Sequence, residues 1–184
     1  MTFIVVIAIA VVLALILIGI YNRLVGLRQT CRQGNADIDA QLRQRHDLIP
    51  NLVATVKGYA THEQDTFEQV IAARNRAESN GSAESEKELS GALGKLLALG
   101  EAYPELKASA NFQALQGELA DTEDKLAAAR RALNAASARY NAARESFPAV
   151  LFAGALGFGP FAFNELAAAE RPGVAAVPQV EFKG

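Results

Sequence analysis

The hydrophobic pattern begins with one unbroken apolar run: residues 2–20 contain no charged side chain. About 19 residues of helix at roughly 1.5 Å each give about 28 Å, close to the thickness of a bilayer's hydrocarbon core. A cleaved signal peptide is the alternative, but it needs a positively charged start and a shorter apolar run. We therefore expect a transmembrane anchor at residues 1–21. Its anchoring side chains are Ile4, Val5, Val11, Leu15, Ile18 and the interfacial Tyr21.

Helical periodicity continues past the anchor. The apolar positions that carry it are Leu24, Leu27, Cys31, Ile38 and Leu42. The pattern predicts that the first helix runs without a break to about Arg45. We interpret residues 46–50 as a stop and restart, because Pro50 would lose a hydrogen bond inside a helix but is tolerated in a first turn. Asp47 is a suitable N-cap for the helix that follows.

Two shorter helices come next in the prediction. The second helix extends from Pro50 to a loop at residues 79–82. Its inward stripe consists of Leu52, Val56, Tyr59, Glu63, Phe67, Val70 and Arg74. A third helix covers about residues 84–103, and Pro104 interrupts it.

The fourth helix has the strongest pattern in the body. Residues that recur at alternating spacings of three and four are Phe112, Leu115, Leu119, Thr122, Leu126, Ala129, Leu133, Ala136, Tyr140, Ala143 and Phe147. These residues form one stripe with a heptad repeat, which we call the heptad seam. It extends over about five heptads, or roughly 53 Å of helix, and ends at Pro148. A helix of this length needs partners along it. Helices two and three supply them within the chain, or another subunit does.

Residues 149–184 are predicted to form a short apolar and extended tail. The apolar segment, residues 147–163, is uncharged but is interrupted by three glycines and two prolines, so it is too short and too broken for a second span. If the helices alternate in direction, the fourth helix returns this segment to the bilayer. Candidate contacts with the membrane or another subunit are Phe147, Leu151, Phe152, Phe158, Phe161 and Phe163.

The same alternation brings two turns together at the end of the bundle farthest from the membrane. These are the turn after the first helix and the turn at Pro104. Polar and aromatic residues there form a candidate interaction surface, which we call the distal tip. Its residues are Arg45, His46, Asp47, Asn51, Tyr103 and Glu105.

Composition favours an all-α fold. The chain is 51% hydrophobic and only 7% aromatic, and it is rich in alanine and lacks tryptophan, which is typical of long, closely packed helices. We therefore predict an N-terminal transmembrane helix that continues into an antiparallel bundle of about four long helices, residues 22–148.

Few residues are candidates for chemistry. The net charge of −2 gives no positive field to attract nucleic acid, and a lone cysteine, Cys31, excludes internal disulfides and thiolate metal cages. The two histidines, His46 and His62, lie on different helices without cysteine or carboxylate at ligand spacing. No glycine-rich phosphate loop follows a strand. We predict no catalytic residue, no metal and no cofactor.

The charges next to the anchor predict its orientation. Arg23, Arg28 and Arg32 follow the span, and no acidic residue intervenes before Asp37. By the positive-inside rule, the body lies in the cytoplasm and the N-terminus lies outside.

Four segments of the sequence resemble the LemA family. They are YNRLVGLRQ at residues 21–29, IDAQLRQRHDLIPNLVATVKGYATHE at 38–63, LALGEAYPELKASANFQALQGEL at 97–119 and ARRALNAASARYNAARESFP at 129–148. The resemblance implies a bacterial inner-membrane protein with one N-terminal span and a helical-bundle body, and it implies no enzyme activity. The family usually has Ala-Trp where Gly34 and Asn35 stand, and often Tyr-Asn where Leu133 and Asn134 stand.

Two hypotheses for function follow. The first is a non-enzymatic scaffold, anchored in the membrane, that self-assembles into a homo-oligomer and shapes or organises the bilayer. The small residues of the seam and the apolar tail, which is costly to leave in water, favour this hypothesis. The alternative is an adaptor that docks another envelope protein, such as a membrane protease, through the distal tip.

Overall fold

A computed structural model of the protein describes residues 1–164. Its elements are α1 (Thr2–Lys57), α2 (Gln64–Asn80), α3 (Ala83–Ala102), the single turn α4 (Pro104–Lys107), α5 (Ala110–Glu145) and a 3-10 turn at Ala149–Leu151. No strand occurs in this part of the chain, and the predicted all-α fold is confirmed. The extended segment expected from Arg171 onward lies outside the described residues.

The first helix does not stop at residues 46–50: α1 continues through Pro50 to Lys57. The predicted break was wrong because a contact distant in sequence offsets the defect that proline creates. Proline has no N–H to donate to the carbonyl four residues earlier, here that of His46. The Nε of Arg74 in α2 donates to this carbonyl oxygen instead, at 2.8 Å. The acceptor is therefore satisfied, and the helix continues.

The first break in the helical chain comes at residues 58–63, inside the predicted second helix. Tyr59 in this break is 43% exposed, and Glu63 directly precedes α2, so neither residue joins a buried stripe. The predicted stripe is buried on either side of the break, at Leu52, Val56, Phe67 and Val70.

Local sequence signals set the connection between α2 and α3. Asn80 ends α2, Gly81 takes the left-handed conformation with φ +56°, and Ser82 caps α3 by accepting a hydrogen bond from the Ser85 N–H at 3.2 Å. The predicted third helix is confirmed, whereas the loop predicted at residues 79–82 is shorter, because α2 continues through Asn80. Pro104 takes the first position of α4, where its missing N–H costs nothing.

The chain divides into two compact units, which we describe separately. The anchor unit consists of Met1–Asp37 and Ala129–Asn164, and the body unit consists of Ile38–Ala128. These units do not coincide with the divisions at residues 21 and 148 expected from the sequence. In the body unit, segments of all five α-helices contribute to one hydrophobic core, whose largest members include Ile49, Leu52, Phe67, Leu89, Leu96, Leu106, Phe112 and Leu119.

In the anchor unit, α1 and α5 run antiparallel and approach closely. A methyl group on Gly34 would lie 3.1 Å from the Cδ1 and 3.3 Å from the Cα of Leu133. Three residues earlier in α1, the buried Cys31 lies beside Ser137. Burial raises the pKa of the Cys31 thiol, and the Ser137 hydroxyl partly opposes that rise. The thiol is therefore a small core group, as expected from its place in the helical period.

The heptad seam of α5 packs inside the chain. Its members Phe112, Leu119, Thr122, Leu126, Leu133 and Tyr140 are all buried. Only the final residue, Phe147, is strongly exposed, at 80%. Of the two sources of partners considered above, the chain itself supplies them, and the seam is not available to another subunit.

Candidate functional site

A buried ionic cluster occupies the body unit where α1 meets α3. Arg45 and Glu86 are 2% and 3% exposed, and their side chains pair at 3.0 Å between Nη1 and Oε2. The other carboxylate oxygen of Glu86 lies 2.9 Å from Nε2 of His46. A carboxylate paired with arginine only accepts, so His46 donates through Nε2. One acid on α3 thus holds two consecutive residues of α1.

Two further groups complete the cluster. The Nη2 of Arg45 donates to Ser90 Oγ at 2.8 Å and contacts the Oε1 of Glu123 in α5 at 2.6 Å. Ser90 in turn donates to the backbone oxygen of Glu86 at 3.0 Å. Ser90 therefore does not bond a histidine that could take its proton, and the cluster lacks the nucleophile–base pair that covalent catalysis requires. Its geometry suits the positioning of helices.

The cluster explains the RHDLIPNLV segment chemically. Arg45 and His46 bind Glu86, while Pro50 frees the His46 carbonyl that Arg74 binds. Sequence reasoning identified the α1 residues but missed their partners on α2, α3 and α5. One signal could have found Glu86: it falls on the apolar stripe of α3, ahead of the buried residues Leu89, Leu93 and Leu96. A carboxylate on such a stripe requires a buried partner.

The structure rearranges the predicted distal tip. Because α1 continues to Lys57, Arg45 and His46 lie in the buried cluster rather than on an exposed turn, and their inclusion in the tip was wrong. Asp47 and Asn51 are exposed along α1, and Glu105 is exposed on α4.

Tyr103 contacts the break at residues 58–63 rather than the Pro50 region. Its hydroxyl donates to Glu63 Oε1 at 3.1 Å. This hydrogen bond, with desolvation and the charge of Glu63, raises the pKa of Tyr103. The contact therefore joins the segment before α2 to the segment before α4.

The apolar tail folds back along α5 in the anchor unit. The Tyr140 hydroxyl donates to the Gly159 carbonyl at 2.8 Å, and the Asn141 side chain both donates to and accepts from the backbone of Phe161 at 2.9 Å. Gly157, at φ +75°, reverses the chain and directs Phe158 inward. These bonds fix the tail as part of the fold.

Phe158 lies where the tail meets α1. Its ring packs edge-on against Tyr21, with centroids 5.4 Å apart, and the Arg28 guanidinium lies 4.7 Å above it. Phe158 is 1% exposed, so the expectation that it contacts a membrane or another subunit was wrong. Phe152 and Phe161 are half-buried, whereas Phe147, Leu151 and Phe163 are exposed and remain candidates.

The anchor segment and the exposed end of the tail together form an apolar surface. The six predicted anchoring residues are between 43% and 71% exposed, and α1 is long and apolar enough to cross a membrane. Leu17, Ile18 and Tyr21 line a groove of about 310 Å³ with Phe152, Ala155 and Leu156 of the tail. The tail therefore contacts the last turn of the predicted span. Among residues 1–164, no group of His, Cys, Asp or Glu side chains converges to hold a metal.

Comparison with known proteins places the chain in a family. The model of the LemA family matches residues 34–182. The chain belongs to the LemA family. It is also similar to the magnetosome protein MamQ of Magnetospirillum gryphiswaldense, with 24% identity over 70% of this chain and 58% of the relative. The chain thus spans a little more than half the length of that relative. These similarities and the apolar helix identify a membrane-associated protein.

Two departures from the LemA pattern face each other in the anchor unit. Gly34 and Leu133, which replace the usual Ala and Tyr, are in direct contact. Asn35, which stands where the family usually has Trp, lines a groove of about 430 Å³ with Leu133 and residues 160–164. Smaller residues at these positions thus lie beside open space and a close helix–helix approach.

Proposed function

We propose that this LemA-family protein is a helical scaffold that assembles with copies of itself at the bacterial inner membrane and organises or shapes that membrane. It crosses the bilayer once, with the N-terminus outside and the body in the cytoplasm. Family membership and the likeness to MamQ support a membrane-associated role. The exposed apolar segment at residues 2–20 would be costly to leave in water. Its burial in lipid would remove a free-energy cost of about 25 cal/mol per Å² of apolar surface.

The observation that carries the self-assembly proposal is a second stripe on α5. Because the heptad seam is buried inside the chain, contacts between copies require another surface. Ala132, Ala135 and Ala142 recur at helical spacing, and all three are exposed. Ala135 and Ala142 lie about half a turn from the buried Leu133 and Tyr140, and Ala132 lies about a quarter of a turn from them, so α5 presents the first two on its outer side. Side chains this small let a helix of a second copy approach closely.

A pair of alanine substitutions tests this assembly surface. Ala135→Glu adds a charge to the outer stripe of α5, while Ala98→Glu adds the same charge to an exposed position of α3. We expect the full-length wild type and Ala98→Glu to have masses of several protomers in mild detergent, measured by light scattering. Ala135→Glu should shift toward the monomer. Equal masses for all three proteins would rule out the stripe as the interface.

One observation favours the adaptor as a second candidate. Tyr59 is 43% exposed in the break between α1 and α2, where the other exposed residues are Gly58, Thr61 and His62. Aromatic side chains of this kind are enriched at protein–protein interfaces. Tyr59→Ala and Glu105→Lys should then both lose a cross-linked envelope protein in native membranes. An unchanged cross-linking pattern in both variants would exclude docking through this end of the body unit.

A further inference from the structure

The two units of the chain have opposite charge. The anchor unit contains seven arginines, no lysine and only two carboxylates, Asp37 and Glu145, which gives a net charge of +5. Residues 38–128 of the body unit contain nine basic and fifteen acidic side chains, which gives −6. The overall net charge of −2 conceals this difference. The positive charge is concentrated in the unit that contains the anchor.

The register of α1 against α5 arranges four of these arginines in two tiers. Arg23 precedes Gly34 by eleven residues, and Arg144 follows its contact partner Leu133 by eleven, so the two arginines lie at the same height along the antiparallel pair. Arg28 and Arg139 are each six residues from that contact and form the second tier.

The first tier lies at the depth of the lipid headgroups, and the second lies five residues, or about 7.5 Å of helix, farther from the bilayer. Arg23 follows the last apolar residue of the span by three positions, or about 4.5 Å of helix, and the headgroup layer is about 5 to 8 Å thick on each side. Side chains on a helix lean toward its N-terminus, so those of α1 lean toward the bilayer, whereas those of the antiparallel α5 lean away from it. The long stem of Arg28 therefore brings its guanidinium back toward the headgroups. Arg144 also donates to Glu145 at 2.9 Å, and of these two side chains Glu145 is exposed and Arg144 is half-buried.

The fold connects the two arginine tiers to the apolar groove. Phe158 touches Tyr21, which is one wall of the groove, and also supports the guanidinium of Arg28. Leu17 and Ile18 belong to the last turn of the apolar run, so the groove lies at the depth of acyl chains, and Arg23 and Arg28 follow later in α1. A phospholipid has the same order of parts: an apolar chain below an anionic phosphate.

We propose that the anchor unit binds an anionic phospholipid of the surrounding bilayer. One acyl chain lies along the groove lined by Ile18, Tyr21 and Phe152, and the headgroup is bound by the two arginine tiers. The guanidinium group can bind a phosphate through two hydrogen bonds at once, and both tiers consist of arginine. Anionic headgroups are present at high local concentration beside a span, which favours lipid over nucleic acid as the occupant.

Spin-label electron paramagnetic resonance tests the proposal on the full-length chain in phosphatidylcholine bilayers. The measured quantity is the fraction of spin-labelled phosphatidylglycerol that the protein immobilises, compared with spin-labelled phosphatidylcholine. We expect the anionic lipid to be immobilised in the larger fraction at low salt, because its headgroup carries a net negative charge and that of phosphatidylcholine does not. The preference should fall as sodium chloride is raised.

Matched variants distinguish the effect of the two arginine tiers from the effect of positive charge elsewhere in the chain. The quadruple variant Arg23→Gln, Arg28→Gln, Arg139→Gln and Arg144→Gln should lose the preference. The control variant Arg43→Gln, Lys57→Gln, Arg76→Gln and Lys107→Gln removes four exposed charges from the body unit and should keep it. Equal immobilisation of the two lipids by the wild type would overturn the proposal, and so would a preference that the first quadruple variant retains. Tight binding of a duplex oligonucleotide without any lipid preference would assign the arginines to nucleic acid instead.

Discussion

The buried ionic cluster provides the sharpest test of how this fold is held together. The perturbation is Glu86→Gln, which keeps the shape of the side chain and removes its charge. Glu86 is the only acid that contacts both Arg45 and His46 in the described chain, at 3.0 and 2.9 Å. Its loss leaves a buried guanidinium without the partner on α3, and the histidine bonded to a neutral amide.

The size of the effect follows from burial and from the contacts that remain. Breaking a buried pair by removing one partner costs about 3 to 5 kcal/mol. Arg45 keeps Ser90 and the half-exposed Glu123, so we place the loss near the lower end, at about 3 kcal/mol. For a chain of this size, 1 kcal/mol shifts Tm by about 2 to 4 °C, so Glu86→Gln should lower Tm by about 6 to 12 °C.

The same helix supplies the control. Glu88 pairs with Arg76 at 3.0 Å, but these side chains are 48% and 54% exposed. Exposed pairs contribute about 0 to 1 kcal/mol, so Glu88→Gln should change Tm by less than about 4 °C. Thermal unfolding followed by circular dichroism at 222 nm in mild detergent measures both variants. Equal shifts for Glu86→Gln and Glu88→Gln would refute the conclusion that the buried cluster joins the helices.

Three further predictions test other contacts. Arg74→Met should lower Tm by several degrees in the wild type but by less in a Pro50→Ala background, where the alanine N–H satisfies the carbonyl that Arg74 now binds; additive losses in a double-mutant cycle would contradict this explanation. Gly26→Ala should raise the free energy of unfolding by about 0.5 to 1 kcal/mol, since open space surrounds Gly26. Gly34→Ala should give no such gain, because the added methyl would crowd Leu133. Denaturant titration measures both variants, and equal gains would contradict the register of α1 against α5. The Cys31 thiol, buried and with a raised pKa, should resist iodoacetamide at pH 8 until the protein is unfolded, and rapid alkylation of the native protein, seen by mass spectrometry, would show that this part of α1 opens.

Much of the helical architecture could be predicted because its signals are local. The apolar run of the anchor, the Gly81–Ser82 connection and the heptad seam of α5 each depend on residues close in sequence. The course of α1 through Pro50 could not be predicted, since the group that replaces the missing hydrogen bond is Arg74, on the next helix. The effect of proline on a helix therefore depended on tertiary structure.

The candidate sites show the same division. In the sequence Arg45 and His46 are polar residues near a proline, and this pattern alone predicts an exposed turn, because it does not contain their partner Glu86. The apolar tail was expected to lie on lipid or between subunits. The turn at Gly157 and the Tyr140–Gly159 hydrogen bond instead fold the part around Phe158 onto the helices of its own chain, while Phe147, Leu151 and Phe163 stay exposed. Positions fixed by partners far away in sequence were thus the ones that pattern and spacing could not assign.

Single-particle imaging of the full-length protein in mild detergent, combined with mass photometry, tests the scaffold proposal most directly. We predict large assemblies with a regular symmetry, in which the anchor helices lie together on one face and α5 lies at the contacts between copies. A uniform population of monomers across the concentration range would contradict self-assembly and favour the adaptor.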